Sequence, residues 1–237
     1  LLAKVASGVL GDRAVAVTAV SASLPSRERV LAAEFCRHHG ISHVEVATDE
    51  LTRDRYVANG ADRCFHCKSA LFDALEPLAR LSGALIALGT NLDDLGDFRP
   101  GQRAAALRGA IAPLVDAGLS KADVRSISGY LGLETAEKPA AACLSSRVAY
   151  GEPVTEDLLA QVEAAENALH DLGFPVCRVR SHANGTVARV EVPAADLTRA
   201  VSCAAAIDTA VRAAGFTFCG LDLAGFSSGR LNVLIGR

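Results

Sequence analysis

The chain has no methionine and no tryptophan, and only 5% of its 237 residues are aromatic. No charge of one sign dominates, since 24 Lys and Arg stand against 27 Asp and Glu for a formal net charge of −3. That balance removes the broad basic face on which duplex or polyanionic RNA binding depends. It favours small-molecule chemistry with no nucleic-acid partner. No apolar run reaches the roughly 20 residues that span a bilayer, and no basic-then-apolar signal opens the chain. The expectation is a soluble, cytoplasmic protein with no membrane partner. The seven cysteines are odd in number and lack regular spacing apart from one CxxC. A chain that is half hydrophobic has enough core to need no disulfide staples. A reducing compartment follows. No fixed-period repeat is present, and the Ala-rich stretches are helix formers rather than low-complexity tracts.

The opening Leu1-Leu2-Ala3-Lys4-Val5-Ala6 also lacks a capping Ser, Thr or Asp before its helical pattern. It reads as the middle of a helix, so the sequence leading into that helix is expected upstream of Leu1.

What the sequence does contain is an alternation of strand and helix signals. Residues 14–20 form a continuous apolar, β-branched run, as a strand buried on both faces would. A helix is expected over 27–39, a strand at 44–46, a helix over 68–81, a strand at 84–88 and a helix over 120–132. This order predicts an α/β fold with a doubly wound parallel sheet, whose ligands bind outside the carboxyl ends of the strands. Residues 134–153 have no sustained period and read as a long functional loop. From Thr155 onward the pattern is α-β-β-α-β, with a helix at 158–169, strands near 176–180 and 186–192, a helix over 196–214 and a strand over 216–223. That predicts a smaller α+β domain. The boundary falls near Gly151, giving domains 1–150 and 151–237.

Chemistry concentrates in three places. Cys64 and Cys67, three apart at a helix start beside Lys68, can act as inert small hydrophobes, as metal ligands or as nucleophiles. His66 could add a fourth zinc ligand, although its place inside the CxxC turns it away. Cys143 lies among small residues in Ala142-Cys143-Leu144-Ser145-Ser146-Arg147, whose hydroxyls and guanidinium suit phosphate. The run 89–103 leaves a strand's carboxyl end with Asp93, Asp94 and Asp97 as oxygen ligands for magnesium, and with Arg99 and Arg103 for phosphate. Arg178 and Arg180, two apart on a strand, share a face and could clamp an anion or form an exposed charged surface. Cys36, Cys177, Cys203 and Cys219 lie on helix or strand patterns and are expected in the core.

Several of these segments carry a family resemblance. Gly89-Thr-Asn-Leu-Asp-Asp-Leu-Gly-Asp-Phe-Arg-Pro-Gly101, Ser120 to Arg125 with Leu131-Gly132-Leu133, and Lys138 to Arg147 with Tyr150-Gly151 resemble the LarE family. So do Gly173-Phe174-Pro175, Arg178, Arg180, residues 188–191, and the tail from Leu221 to Arg230. These are ATP-dependent sulfur transferases of the PP-loop pyrophosphatase superfamily that act in nickel-pincer nucleotide synthesis. The resemblance implies a PP-loop, adenine nucleotide alpha hydrolase-like domain over 1–150, with a Ser-Gly-Gly-x-Asp-Ser loop just before Leu1. It also implies a substrate-binding and oligomerisation domain over 151–237.

The reaction implied adenylates a carboxylate of pyridinium-3,5-biscarboxylic acid mononucleotide with ATP and Mg2+. Sulfur then displaces AMP to leave a thiocarboxylate. Some members give up the sulfur of a cysteine matching Cys143. Others hold a [4Fe-4S] cluster with three cysteines, here Cys64, Cys67 and Cys143, which pass on sulfide from a sulfide source. Asp93, Asp94, Asp97, Arg99, Lys121 and Arg125 fall to the nucleotide. Ser145, Ser146, Arg147, Glu166, Arg178 and Arg180 fall to the substrate. Symmetric homo-oligomers are also implied. The alternatives are another PP-loop enzyme, amidating a carboxylate or thiolating tRNA, and a structural zinc or redox module.

Overall fold

In a computed structural model the described residues are 1–96, 100–139, 141–227 and 229–236. In chain order they form α1 (Leu2–Leu10), β1 (Ala16–Val20), α2 (Ser26–His38), β2 (His43–Ala47), α3 (Asp54–Val57) and α4 (Arg63–Ser82). There follow α5 (Pro100–Leu107), α6 (Pro113–Asp116), α7 (Lys121–Tyr130), α8 (Glu156–Asp171), β3 (Arg178–His182) and β4 (Val187–Glu191). α9 (Leu197–Ser202), α10 (Ala204–Ala213) and β5 (Phe218–Leu221) complete the chain. Packing divides it into two compact units, 1–50 with 64–141 and 51–63 with 142–237. This cut differs from a boundary at Gly151 for a local reason. Tyr56, Asn59 and Arg63 bond to Ser145, Ala149 and Glu152, so both segments pack with the second unit.

The first unit contains the expected parallel sheet. β1 and β2 pair in parallel with Val17 opposite Val44 and Val20 opposite Ala47, and α2 forms the crossover. Val17 and Val44 remain exposed, however, so the run 14–20 is not buried on both faces among the described residues. The strand expected at 84–88 is reduced to one parallel bridge between Ala87 and Ile111. There the Leu88 N–H donates to the Ile111 carbonyl, and the Ile111 N–H donates to Ile86. α7 begins as its sequence requires, with Ser120 and Asp123 closing a reciprocal capping box.

α4 starts five residues earlier than its periodicity suggests, at Arg63 rather than Lys68. The CxxC therefore sits on its first turn. On the buried side Phe72 and Leu75 are covered, while Leu78 is exposed.

The second unit is the expected small α+β layer. β3 pairs antiparallel with β4, and β4 pairs parallel with β5, in the order β3-β4-β5. The β3–β4 connection turns through Ala183, Asn184 and Gly185, all at positive φ, where the Cβ-free Gly185 is least strained. The Glu152 carboxylate accepts the Ala183 and Asn184 amides and holds the turn. One face of the sheet packs on α8. Leu159, Val162, Ala165, Leu169, Val179, Ala188 and Val190 are fully buried there. Such burial stabilises by about 25 cal/mol per Å2 of apolar area removed from water.

The single helix expected over 196–214 is two helices. At Cys203 the backbone takes φ −98° and ψ 12°, and its amide is shared between the Arg199 and Ala200 carbonyls.

Candidate active site

The alternation of β3 and β4 decides what the second unit offers to a ligand. Arg180 lies opposite Arg189 and Arg178 opposite Glu191, so these four and His182 share the face turned away from α8. Arg180 donates through Nε to Glu191 at 3.0 Å and through Nη1 to the Ser146 carbonyl at 2.9 Å. Arg189 bonds both Glu191 and Asp222, and Arg230 pairs with Asp222. Glu191 is fully buried, and its charge is met by two guanidinium groups.

Arg147 and Glu166 form a second buried pair, with side-chain exposures of 3% and 7%. The contact is bidentate, Nε to Oε1 at 2.9 Å and Nη2 to Oε2 at 3.0 Å. Glu166 Oε1 also accepts the Val179 amide at 3.0 Å, tying α8 to β3. Glu166 thus holds Arg147.

Arg147 in turn holds the cysteine loop. Its Nη1 donates to the carbonyls of Ala142 and Cys143 at 2.7 and 2.9 Å. The Cys143 carbonyl also accepts the Ser146 hydroxyl at 2.7 Å and the Ser146 amide at 3.0 Å. Cys143 therefore has a fixed backbone at the start of a 3-10 turn, Leu144–Arg147, and a half-buried thiol. Ser145 points into the core and bonds the Tyr56 hydroxyl at 2.5 Å, which makes it structural.

Arg178 differs from its neighbour. Its Nη1 donates to the Cys177 carbonyl, and its guanidinium lies over the Phe226 ring at 5.1 Å. Burial pushes its pKa below the ordinary arginine value, and the nearby Arg147 and Arg180 charges push it further, against Glu166. An anion arriving at Arg178 would relieve both. Across this network Arg147, Arg178, Arg180, Arg189 and Arg230 face Glu166, Glu191 and Asp222, a positive excess suited to a phosphate dianion.

The first unit carries the other candidates. Cys64 is exposed and Cys67 partly so, and their i,i+3 spacing puts both on one side of the first turn of α4. No disulfide joins any of the seven cysteines. Burial raises the thiol pKa of Cys36 and, with Asp208, that of Cys219. Cys36 and Cys177 are core residues as expected, but Cys203 and Cys219 are only partly covered, because they lie at a helix break and on the outermost strand.

In the acidic loop the Asp93 carboxylate accepts the Lys121 amide at the start of α7, and Asp94 accepts the Asn91 amide at 3.0 Å. Both carboxylates thus order backbone while retaining the hard oxygen chemistry that suits a divalent cation. The Lys121 side chain is exposed, whereas Arg125 reaches the Ala136 and Lys138 carbonyls and braces that segment. Arg103 lies over the Phe65 ring, between the two thiols in sequence. Asp97 and Arg99 lie outside the described residues.

No group of three or more His, Cys, Asp or Glu able to hold a metal is gathered among the described residues. Cys64 and Cys67 belong to the first unit and Cys143 to the second. Cys64 is exposed and Cys67 and Cys143 are partly so, and a thiol is the soft donor that iron–sulfur chemistry uses. The residues that sequence reasoning passed over are Tyr56, Asn59, Arg63 and Asp222. Arg63 is buried, bonds Asn59, and donates to the Ser145 carbonyl at 2.8 Å. The Asn184-Gly185 turn signal would have revealed the Arg180–Arg189 register, but Tyr56 and Arg63 sit in a stretch without periodicity.

A parallel α/β unit joined to a small α+β unit with a cationic sheet face is a PP-loop-like α/β architecture. No family model matches the chain. It is 35% identical, over 98% of its length and 84% of the relative's, to the pyridinium-3,5-bisthiocarboxylic acid mononucleotide synthase of Lactiplantibacillus plantarum. An uncharacterized protein of Synechocystis sp. is 44% identical over all of this chain and 89% of its own. A second uncharacterized protein, from Methanocaldococcus jannaschii, is 28% identical over 58% of this chain and 54% of its own. The chain belongs to the LarE family of sulfur transferases.

Proposed function

We propose that this protein is an ATP-dependent sulfur transferase that adenylates a carboxylate of pyridinium-3,5-biscarboxylic acid mononucleotide and converts it to the thiocarboxylate. The observation that carries the reading is the positive excess on the β3–β4 face, in the same unit as the clamped Cys143 loop. A mononucleotide brings a phosphate dianion to such a face. The likeness to the Lactiplantibacillus pyridinium-3,5-bisthiocarboxylic acid mononucleotide synthase supports the substrate.

In this reaction the substrate carboxylate attacks the α-phosphorus of ATP, and the bond to pyrophosphate breaks. Sulfur then attacks the acyl carbon, and AMP leaves with the bonding pair. Arg178 and Arg180 would hold the substrate phosphate, while Arg147, Ser146 and Glu166 would keep the Cys143 loop in place. Asp93 and Asp94 would supply oxygen ligands for Mg2+, with Lys121 as the cation beside them. Cys64, Cys67 and Cys143 would hold a [4Fe-4S] cluster, a group that supplies an open iron where a cargo sulfide binds. Cytoplasmic location and a homo-oligomeric state belong to the same proposal.

The test is a single turnover of anaerobic full-length protein with ATP, Mg2+, sulfide and the dicarboxylate nucleotide. Expected are AMP, pyrophosphate and a product with sulfur in place of oxygen. Absence of AMP and pyrophosphate overturns the reading. Stoichiometric zinc without iron or acid-labile sulfide sinks the cluster assignment alone. A second reading, sacrifice of the Cys143 sulfur, is favoured by that thiol's place in the same unit as the arginines. It predicts loss of one sulfur from the protein's mass.

A further inference from the structure

Outside the site just described, the first unit buries one carboxyl group that its fold leaves half-served. Glu50 follows β2 beyond its carboxyl end and is 2% exposed. Two serines that follow the carboxyl end of β1 reach the same oxygen. Ser21 Oγ donates to Glu50 Oε1 at 2.5 Å, and Ser23 Oγ donates to it at 3.0 Å. The Ser23 amide donates to Ser21 Oγ at 3.2 Å, which fixes the pair. Oε2 is buried and has no hydrogen-bond partner among the described residues.

A buried acceptor without a donor is costly, and native structures keep one chiefly where water, an ion or a ligand completes it. The position narrows the choice, because ligands of parallel α/β sheets bind outside the carboxyl ends of their strands. A divalent cation would want several anionic ligands, and no such group gathers among the described residues. The edge of adenine presents ring acceptors beside its amine, which a carboxylate faces poorly. A ribose hydroxyl is the better match, since it brings a donor to Oε2 without an acceptor that must face the carboxylate. Turning the carboxyl towards an incoming donor uses the broad last torsion of a glutamate.

We propose that Glu50, braced by Ser21 and Ser23, accepts a ribose hydroxyl of the nucleotide and sets the preference for ribo- over deoxyribonucleotide. This rests on the ATP reading above. The test measures binding of ATP, 2′-deoxy-ATP and 3′-deoxy-ATP to full-length wild-type protein and to Glu50→Gln, with thermal melting of both. ATP should bind the wild type about 10-fold tighter than one of the deoxy analogues, as loss of a bond to a charged group implies. Glu50→Gln should bring that ratio to within about 3-fold. If Glu50→Gln does not fold, Glu50→Asp, which keeps the charge and shortens the reach, should show the same loss. Equal binding of all three by the wild type overturns the assignment while leaving ATP use intact. An unchanged ratio in a folded variant overturns it too and marks Oε2 as the site of a structural water. Binding of none of the three by folded wild type removes both this assignment and the ATP reading.

Discussion

In the second unit the charged groups are buried and serve one another. Arg147 is held by Glu166, Arg180 and Arg189 by Glu191, and the loop carrying Cys143 hangs from that network. In the first unit the thiols and carboxylates lie nearer the surface, and their order comes from helix ends: Cys64 and Cys67 on the first turn of α4, Asp93 on the first amide of α7. The same chemistry-bearing residue types are therefore under different constraints. A buried network fixes geometry but fails as a whole when one member goes. A surface turn tolerates loss of a side chain and changes only its chemistry.

The largest test of that contrast is Glu166→Ala. It strands the buried Arg147 guanidinium and should cost about 3–5 kcal/mol in urea unfolding. Alkylation of Cys143 should accelerate as its loop loosens. Replacing both partners together, Arg147→Met with Glu166→Leu, should recover much of the stability but not the loop's order. A tie between the single and double variants would break the comparison. Next in size, Arg178→Ala should raise the KM for the mononucleotide about 10-fold or more, by loss of a charged hydrogen bond. Melting should hardly change, because its removal also relieves crowding by Arg147 and Arg180.

Asp93→Ala should cost about 0.5–1 kcal/mol, the low end of a lost cap, since Ser120 and Asp123 still close the box on α7. Cys64→Ser should leave stability within about 0.5 kcal/mol while abolishing cluster-dependent sulfur transfer. A large loss of stability would show that the first turn of α4 is not the tolerant surface described.

The smallest effect concerns pH. Burial and then Arg189 lower the His182 pKa, and its Nε2 accepts from Arg189 Nε at 3.2 Å, so the ring is neutral in the fold. A base whose folded pKa is depressed contributes stability above its unfolded pKa, near about 6.5, and loses it as pH falls through the folded value. Melting between about pH 7 and pH 5 should fall slightly more for wild type than for His182→Gln.

Much of the architecture was legible because period and burial agree. The core face of α8, the β3–β4 hairpin and the capping of α7 all follow from residue spacing. The strand expected at 84–88 did not form as such, since an apolar run specifies burial rather than a ladder partner. The helix expected from Lys68 begins at Arg63, a start that the apolar face does not mark because its leucines begin only at Leu71. Arg178 and Arg180 were correctly placed on one face, but only the register against Arg189 and Glu191 tells them apart. No spacing rule links Arg63 to Ser145, because that bond joins positions far apart in the chain.

The clamp around Cys143 has one more property. Every bond that fixes the residue ends on main-chain oxygen or on its neighbours' side chains, and no hydrogen bond among the described residues uses its sulfur. The atom with the chemistry is thus mechanically spare. Capping it, oxidising it or removing it altogether would leave the loop's scaffold standing, so a molecule that had lost its sulfur would look, to a melting curve, much like one that had not.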